Sequence, residues 1–198
     1  MKILTVSDRV CKELIDPPRK ELPSPELILS CGDLPPEYLS TLREKFQVPL
    51  YYILGNHDIR YDQSPPVGCT NLGFRLKNHH GLRFLGLSGS RWYNGGANQY
   101  GEKEMSFMLR RLWLTLLINR RVDIMFSHTP PRHIGDREDP CHKGFRTFLK
   151  LIDKYRPLYF IHGHIHSHFK QAGDRIICHN QTRVINSYGY HFIEIESP

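Results

Sequence analysis

Leu50-Tyr51-Tyr52-Ile53-Leu54-Gly55-Asn56-His57-Asp58 is an apolar run of strand length that stops abruptly in a polar cluster. The same form recurs along the chain. Ile3-Leu4-Thr5-Val6 precedes Ser7-Asp8, Leu27-Ile28-Leu29 precedes Cys31-Gly32-Asp33, and Leu82 to Leu87 leads to Ser88-Gly89-Ser90-Arg91. Val122 to Phe126 leads to Ser127-His128, and Leu158-Tyr159-Phe160-Ile161 to His162-Gly163-His164-Ile165-His166. Strands apolar throughout imply a sheet covered on both faces.

Helical patterns lie between these runs. Met105, Met108, Leu109, Leu112 and Leu116 share one face, leaving Arg110, Arg111 and Thr115 outside. Phe145, Phe148, Leu149, Ile152 and Tyr155 form a second stripe, stopped by Pro157, and Leu39, Leu42 and Phe46 a shorter one after Pro35-Pro36. These stripes read as core. Thr182 to Ile195 reads as two strands around a Ser187-Tyr188-Gly189 turn that finish the sheet antiparallel, and His79-His80-Gly81 as a hairpin turn. Asp62 to Asn71 is the one excursion, so residues 1–198 are expected to form a single α/β domain with a mixed sheet.

With 39% hydrophobic and 24% charged residues in a chain of 198, disorder, collagen and coiled coil are excluded. No apolar run approaches the ~20 residues that span a bilayer, and the opening Met1 to Asp8 is too short and too soon interrupted for a signal peptide. Five scattered cysteines, never in Cys-x-x-Cys spacing, argue against a disulfide framework or a thiolate zinc knuckle. A cytoplasmic location without membrane partners is expected. The net charge of +7 tilts towards anionic partners, but the basic residues form no block, so nucleic acid is not the favoured one.

In open α/β sheets, ligands bind beyond the carboxyl ends of the strands. Those ends carry Asp8, Asp33, Asn56, His57, His128, His164 and His166. Singly, an Asp is more often a cap or turn former, and a His before Thr129-Pro130-Pro131 a packed loop residue. Repetition at five strand ends raises their joint weight, and His164-x-His166 after a buried strand is hard to assign to packing. Nitrogen and oxygen donors without thiolate suit manganese, iron or zinc, and they suffice for two ions about 3.5–4 Å apart. Two divalent cations against two aspartates leave a net positive site that draws in phosphate. They also lower the pKa of a bridging water towards about 7, making it the in-line nucleophile.

These residues, Ser7-Asp8, Gly32-Asp33, Gly55-Asn56-His57-Asp58, Ser127-His128-Thr129-Pro130-Pro131 and Gly163-His164-Ile165-His166, resemble in order and type the calcineurin-like metallophosphoesterase superfamily. The resemblance covers residues 3–166. It implies a four-layered α/β sandwich of two mixed sheets flanked by helices, and an enzyme that hydrolyses phosphoesters. In that pattern Asp33 bridges two metals, Asp8 and His166 hold the first, and Asn56, His128 and His164 hold the second. His57 then lies near the scissile phosphate and protonates the leaving oxygen. A phosphorylated small molecule or nucleotide-like phosphodiester is the expected substrate; a weakened binding or scaffold protein and a nuclease are the alternatives.

The chain departs from the family in two places. The usual Asp-x-His reads Asp8-Arg9-Val10, which weakens the first metal position. A second acidic residue three after the bridging Asp is replaced by Pro36, with Glu37 adjacent, so the partner of His57 is open. Arg91, beyond a strand in a glycine-rich loop, is a candidate contact to the substrate phosphate, with an exposed arginine stacked on Trp92 as the competing reading. Arg132, His133 and Arg137 read as a solvated loop, and Cys31 as a small buried residue.

Overall fold

A computed structural model describes residues 1–16 and 22–195. Each apolar run becomes a strand: β1 (Lys2–Ser7), β2 (Leu27–Ser30), β3 (Leu50–Tyr52), β6 (Leu82–Leu87), β9 (Ile124–Ser127) and β10 (Tyr159–His162). Shorter or more polar strands complete the set: β4 (Thr70–Asn71), β5 (Arg75–His79), β7 (Ser90–Arg91), β8 (Gln99–Tyr100), β11 (Ile176–His179), β12 (Thr182–Asn186) and β13 (Gly189–Glu194). The helices are α1 (Pro36–Phe46), α2 (Glu102–Arg110), α3 (Trp113–Asn119) and α4 (Arg146–Tyr155).

Eleven strands form two large mixed sheets, in the orders β13-β1-β2-β3-β4 and β11-β12-β10-β9-β6-β5, and β7 pairs with β8 alone. Strands β1 to β4 run parallel with β13 antiparallel at one edge, and β12, β10, β9 and β6 run parallel between antiparallel β11 and β5. Side-chain alternation along each strand then separates three cores. Ile3, Leu27, Leu29 and Ile53 face Phe84, Ile124, Phe126 and Ile161 between the sheets. On the outer face of the first sheet, Leu4, Ile28 and Tyr52 pack on Tyr38, Leu39 and Leu42 of α1. On the outer face of the second, Leu85, Met125 and Phe160 pack on Met105, Leu109, Leu116, Phe148 and Ile152. The result is the expected layering of two sheets between helices.

Three readings change. Thr182 to Ile195 is not a hairpin: β12 joins the second sheet parallel to β10, while β13 joins the first sheet antiparallel to β1. Ile185 and Ile193 enter the inter-sheet core from opposite sides, so burial between sheets outweighs pairing with the sequence neighbour. The turn is held by Ser187 N donating to His162 O (2.6 Å) and Tyr188 N to Asn186 Oδ1 (2.9 Å). The helix expected through Leu116 breaks after Arg110, where Arg111 N and Leu112 N bond three residues back and tighten the turn. Beyond the break Leu116 is buried while Trp113, Leu114, Leu117 and Ile118 are exposed. The single mixed sheet read from the residues is two sheets.

Phe126 is fully buried between the sheets. Phe126→Ala should cost about 3–5 kcal/mol. Urea unfolding should show this as a lower midpoint with an unchanged slope.

Candidate metal centre

The parallel strands β1, β2, β3, β9 and β10 deliver their carboxyl ends to one edge. There the chain turns sharply: Asp8, Asp33 and His164 adopt left-handed φ of 62°, 56° and 65°. Such conformations are uncommon for non-glycine residues and cluster at functional sites. They are held by backbone bonds between neighbouring loops, Asp8 N to Gly32 O (3.2 Å) and Gly163 N to His128 O (3.0 Å). Asp58, buried, accepts from Asp33 N (2.8 Å) and Gly55 N (2.7 Å), tying the loop after β2 to the loop after β3. Burial and the nearby Asp33 charge raise its pKa to about 6.

Four donors, Asp33, Asn56, His128 and His164, converge above this backbone. His128 Nε2 lies 3.1 Å from Asn56 Oδ1 and 3.2 Å from Asp33 Oδ2. Its other nitrogen, Nδ1, donates to Cys31 O (2.8 Å), which leaves Nε2 as the ligating atom. Asn56 Nδ2 donates to Tyr93 OH (3.1 Å), so the amide is oriented with its oxygen inward. The His164 ring sits 4.7 Å from that of His128 and its Nε2 donates to Cys141 O (2.8 Å). Asp33, His128 and His164 offer ligand atoms within 4.8 Å of one another.

Electrostatics follows from this crowding. Burial opposes ionisation of Asp33, but His128 beside it and the His57 amide, which donates to Oδ1 at 2.8 Å, lower its pKa to about 2. Burial likewise opposes charge on His128, yet Asp33 raises it to about 10. His164 is pushed down to about 4 by burial and by the charge of His128, so it stays neutral. A cation and the His128 proton compete for one lone pair.

A second donor group adjoins the first. Ser7 Oγ (2.5 Å) and His164 N (2.9 Å) donate to Asp8 Oδ2. Asp8 Oδ1 is buried without a hydrogen bond and faces His166 Nε2 at 3.4 Å. A buried carboxylate oxygen left bare costs free energy unless a cation or water meets it. The oxygen and nitrogen donors of both groups therefore fit divalent cations. His166 is 61% exposed at its side chain and stacks on Tyr188 at 4.7 Å.

The remaining expected residues lie apart from these donors or at their rim. His57 is exposed above a cavity of about 200 Å³ lined with Asp33, Pro36 and Arg60. Pro36 opens α1, and Glu37 pairs with Arg60 (3.1 Å) rather than with His57. Val10 is 42% exposed. Arg91 pairs with Glu102 (2.7 Å) and lies 5.4 Å over the Phe145 ring. Arg132 is buried against Asp136 (2.6 Å) and Glu138 (2.8 Å), so this part of the loop is structured rather than solvated. Cys31 is fully buried, as read. Tyr93, Cys141 and His142 reach the centre although no sequence pattern marked them.

A sequence profile described as calcineurin-like phosphoesterase matches residues 7–168. The fold is similar to that of TT1561 of Thermus thermophilus, at 15% identity and a TM-score of 0.62, over 95% of this chain and 89% of that one. It is also similar to the calcineurin-like phosphoesterase YfkN from Bacillus subtilis, at 11% identity and a TM-score of 0.50, over 94% and 80%. Comparison with curated proteins gives no significant match.

Gly55 shows how tightly the centre is built. A Cβ there would stand 2.1 Å from Asp33 Oδ1 and 2.8 Å from His128 Cε1. Gly55→Ala should displace both donors and lower bound metal, measured by mass spectrometry after dialysis, by at least about tenfold, the order seen when ligand-orienting partners are lost. Its circular dichroism spectrum should stay that of the parent.

Proposed function

The chain belongs to the calcineurin-like phosphoesterase family, and from that premise we propose that it is a metal-dependent phosphodiesterase acting on a nucleotide-like diester in the cytoplasm. The observation that carries this reading is His128 Nε2 within 3.2 Å of both Asp33 Oδ2 and Asn56 Oδ1, near Asp8 Oδ1, which is buried without a hydrogen bond. Two divalent cations, with manganese favoured, would supply charge neutralisation for the phosphate and acidify a water for attack. Asp33 would be shared; Asp8 and His166 would hold one ion, and Asn56, His128 and His164 the other.

The protein's own groups do the rest. His57 is fixed to Asp33 Oδ1 through its backbone amide and lines the same cavity as Asp33, so its imidazole would hand a proton to the leaving oxygen. Glu37 does not orient it, because that carboxylate is engaged by Arg60. A diester suits such an unassisted acid and a modest turnover. A cavity of about 600 Å³ borders the Asp8 side, lined with Arg9, Lys170, Phe169, Tyr188 and Tyr190. Cationic groups beside aromatic faces suit a phosphate joined to a nucleobase. Arg91, held by Glu102, is assigned to the outer shell of phosphate recognition.

Metal-stripped protein titrated with manganese should hydrolyse a chromogenic phosphodiester, and His128→Ala should abolish the rate. Absence of turnover at any metal concentration in folded protein would shift the assignment to a binding role. His57→Ala should lower kcat by about 10²–10⁴ while leaving bound metal unchanged; an unchanged kcat would remove its role as acid.

Val10 predicts a separate outcome. Only Asp8, Asp33 and His166 are assigned to the first ion, and three protein ligands with water still make a working site. Val10→His should add a ligand and slow metal loss during dialysis. Two ions per chain surviving in the parent protein would contradict a weak first position.

A further inference from the structure

We propose that Cys141, His142 and His164 form a second, thiophilic cation site on the outer side of the centre, suited to a zinc-class divalent ion. The inference rests on the reading above only in sharing His164. The ligand atoms of the three residues lie within 4.8 Å of one another. Cys141 Sγ is 3.9 Å from His164 Nε2. Zinc–sulfur and zinc–nitrogen bonds of about 2.3 and 2.0–2.1 Å at a tetrahedral angle place two such atoms about 3.6 Å apart, so this pair need close by only a few tenths of an ångström.

His142 is already arranged as a ligand. Its Nδ1 lies 2.8 Å from Asp139 Oδ1, which also accepts the His142 backbone amide at 3.1 Å. An ionised carboxylate only accepts, so Nδ1 carries the proton and Nε2 keeps its lone pair, the arrangement usual for metal-bound histidine. The His142 and His164 rings are 5.2 Å apart. Cys141 and His142 are both partly exposed, so an ion can reach them from solvent. On binding, the thiol proton leaves to water as the sulfur–metal bond forms, and no redox change is involved.

His164 links the two sites by exclusion. His164 Nε2 carries the proton that bonds Cys141 O, so an ion takes Nε2 only as that proton shifts to Nδ1, and a neutral imidazole has one lone pair. An ion held through Cys141 and His142 therefore withdraws His164 from Asp33 and His128.

Cobalt titration of the metal-stripped full chain tests this, because a thiolate ligand gives a near-ultraviolet sulfur-to-cobalt charge-transfer band. The band should appear in the parent, vanish in Cys141→Ser and persist in Asp33→Asn, which removes no donor of this set. His128→Ala replaces Asp33→Asn if circular dichroism shows the latter unfolded. No band in the parent, or a band surviving Cys141→Ser, overturns the site. Loss of the band in both Asp33→Asn and His128→Ala would mean that the sulfur only adds to the ion at Asp33, and overturns a separate site. Hydrolysis is not read: a band in a protein without phosphodiesterase activity leaves this site standing and removes the reading above.

Discussion

Keeping Asp33 ionised under a roof of protein is the constraint around which the carboxyl edge of both sheets is arranged. Desolvation opposes a charged carboxylate there. Two contacts offset it: the His57 amide on Oδ1 and the His128 imidazole on Oδ2, from loops of different sheets. The two sheets are thus joined at this edge by charge as well as by the apolar layer between them. Asp58 supports the arrangement from below by holding the amides of Asp33 and Gly55, which keeps Asp33 in its left-handed turn.

The strain at Asp8, Asp33 and His164 has the same origin. Parallel strands point their carboxyl ends outward, and a side chain must turn back across the edge to meet its neighbours. Left-handed backbone makes that turn within one residue, and the glycines before Asp33 and His164 allow the close approach. A Cβ on Gly163 would stand 1.8 Å from Ser7 Oγ and 2.5 Å from Asp8 Oδ2. Stability is exchanged here for a dense set of donors that have no packing role.

Much of this was legible in the sequence, because the signal is local. Uniformly apolar runs ending in Asp, Asn or His mark both the strand and the edge, and β1, β2, β3, β9 and β10 lie where those runs lie. The stripes at Leu39–Leu42 and Phe148–Ile152 likewise mark α1 and α4. What was not legible depends on distant partners. Whether β12 pairs with β13 or with β10 is decided by a core assembled from both sheets, and β11, with its exposed Ile177 and Cys178, carries no clear alternation. Tyr93, Cys141 and His142 sit in loops whose path sequence periodicity does not encode. Glu37 was adjacent to the expected position of a carboxylate, and only the fold shows it turned to Arg60.

The central claim is that the strand-end donors are a metal centre and not a self-contained ion pair with polar neighbours. A crystal soaked in manganese and measured near the metal's absorption edge tests it most directly. The account predicts an anomalous peak among Asp33 Oδ2, Asn56 Oδ1 and His128 Nε2, with a weaker one beside Asp8 Oδ1 and His166 Nε2. A map with no peak at these atoms, and His128 still bonded to Asp33, would contradict it.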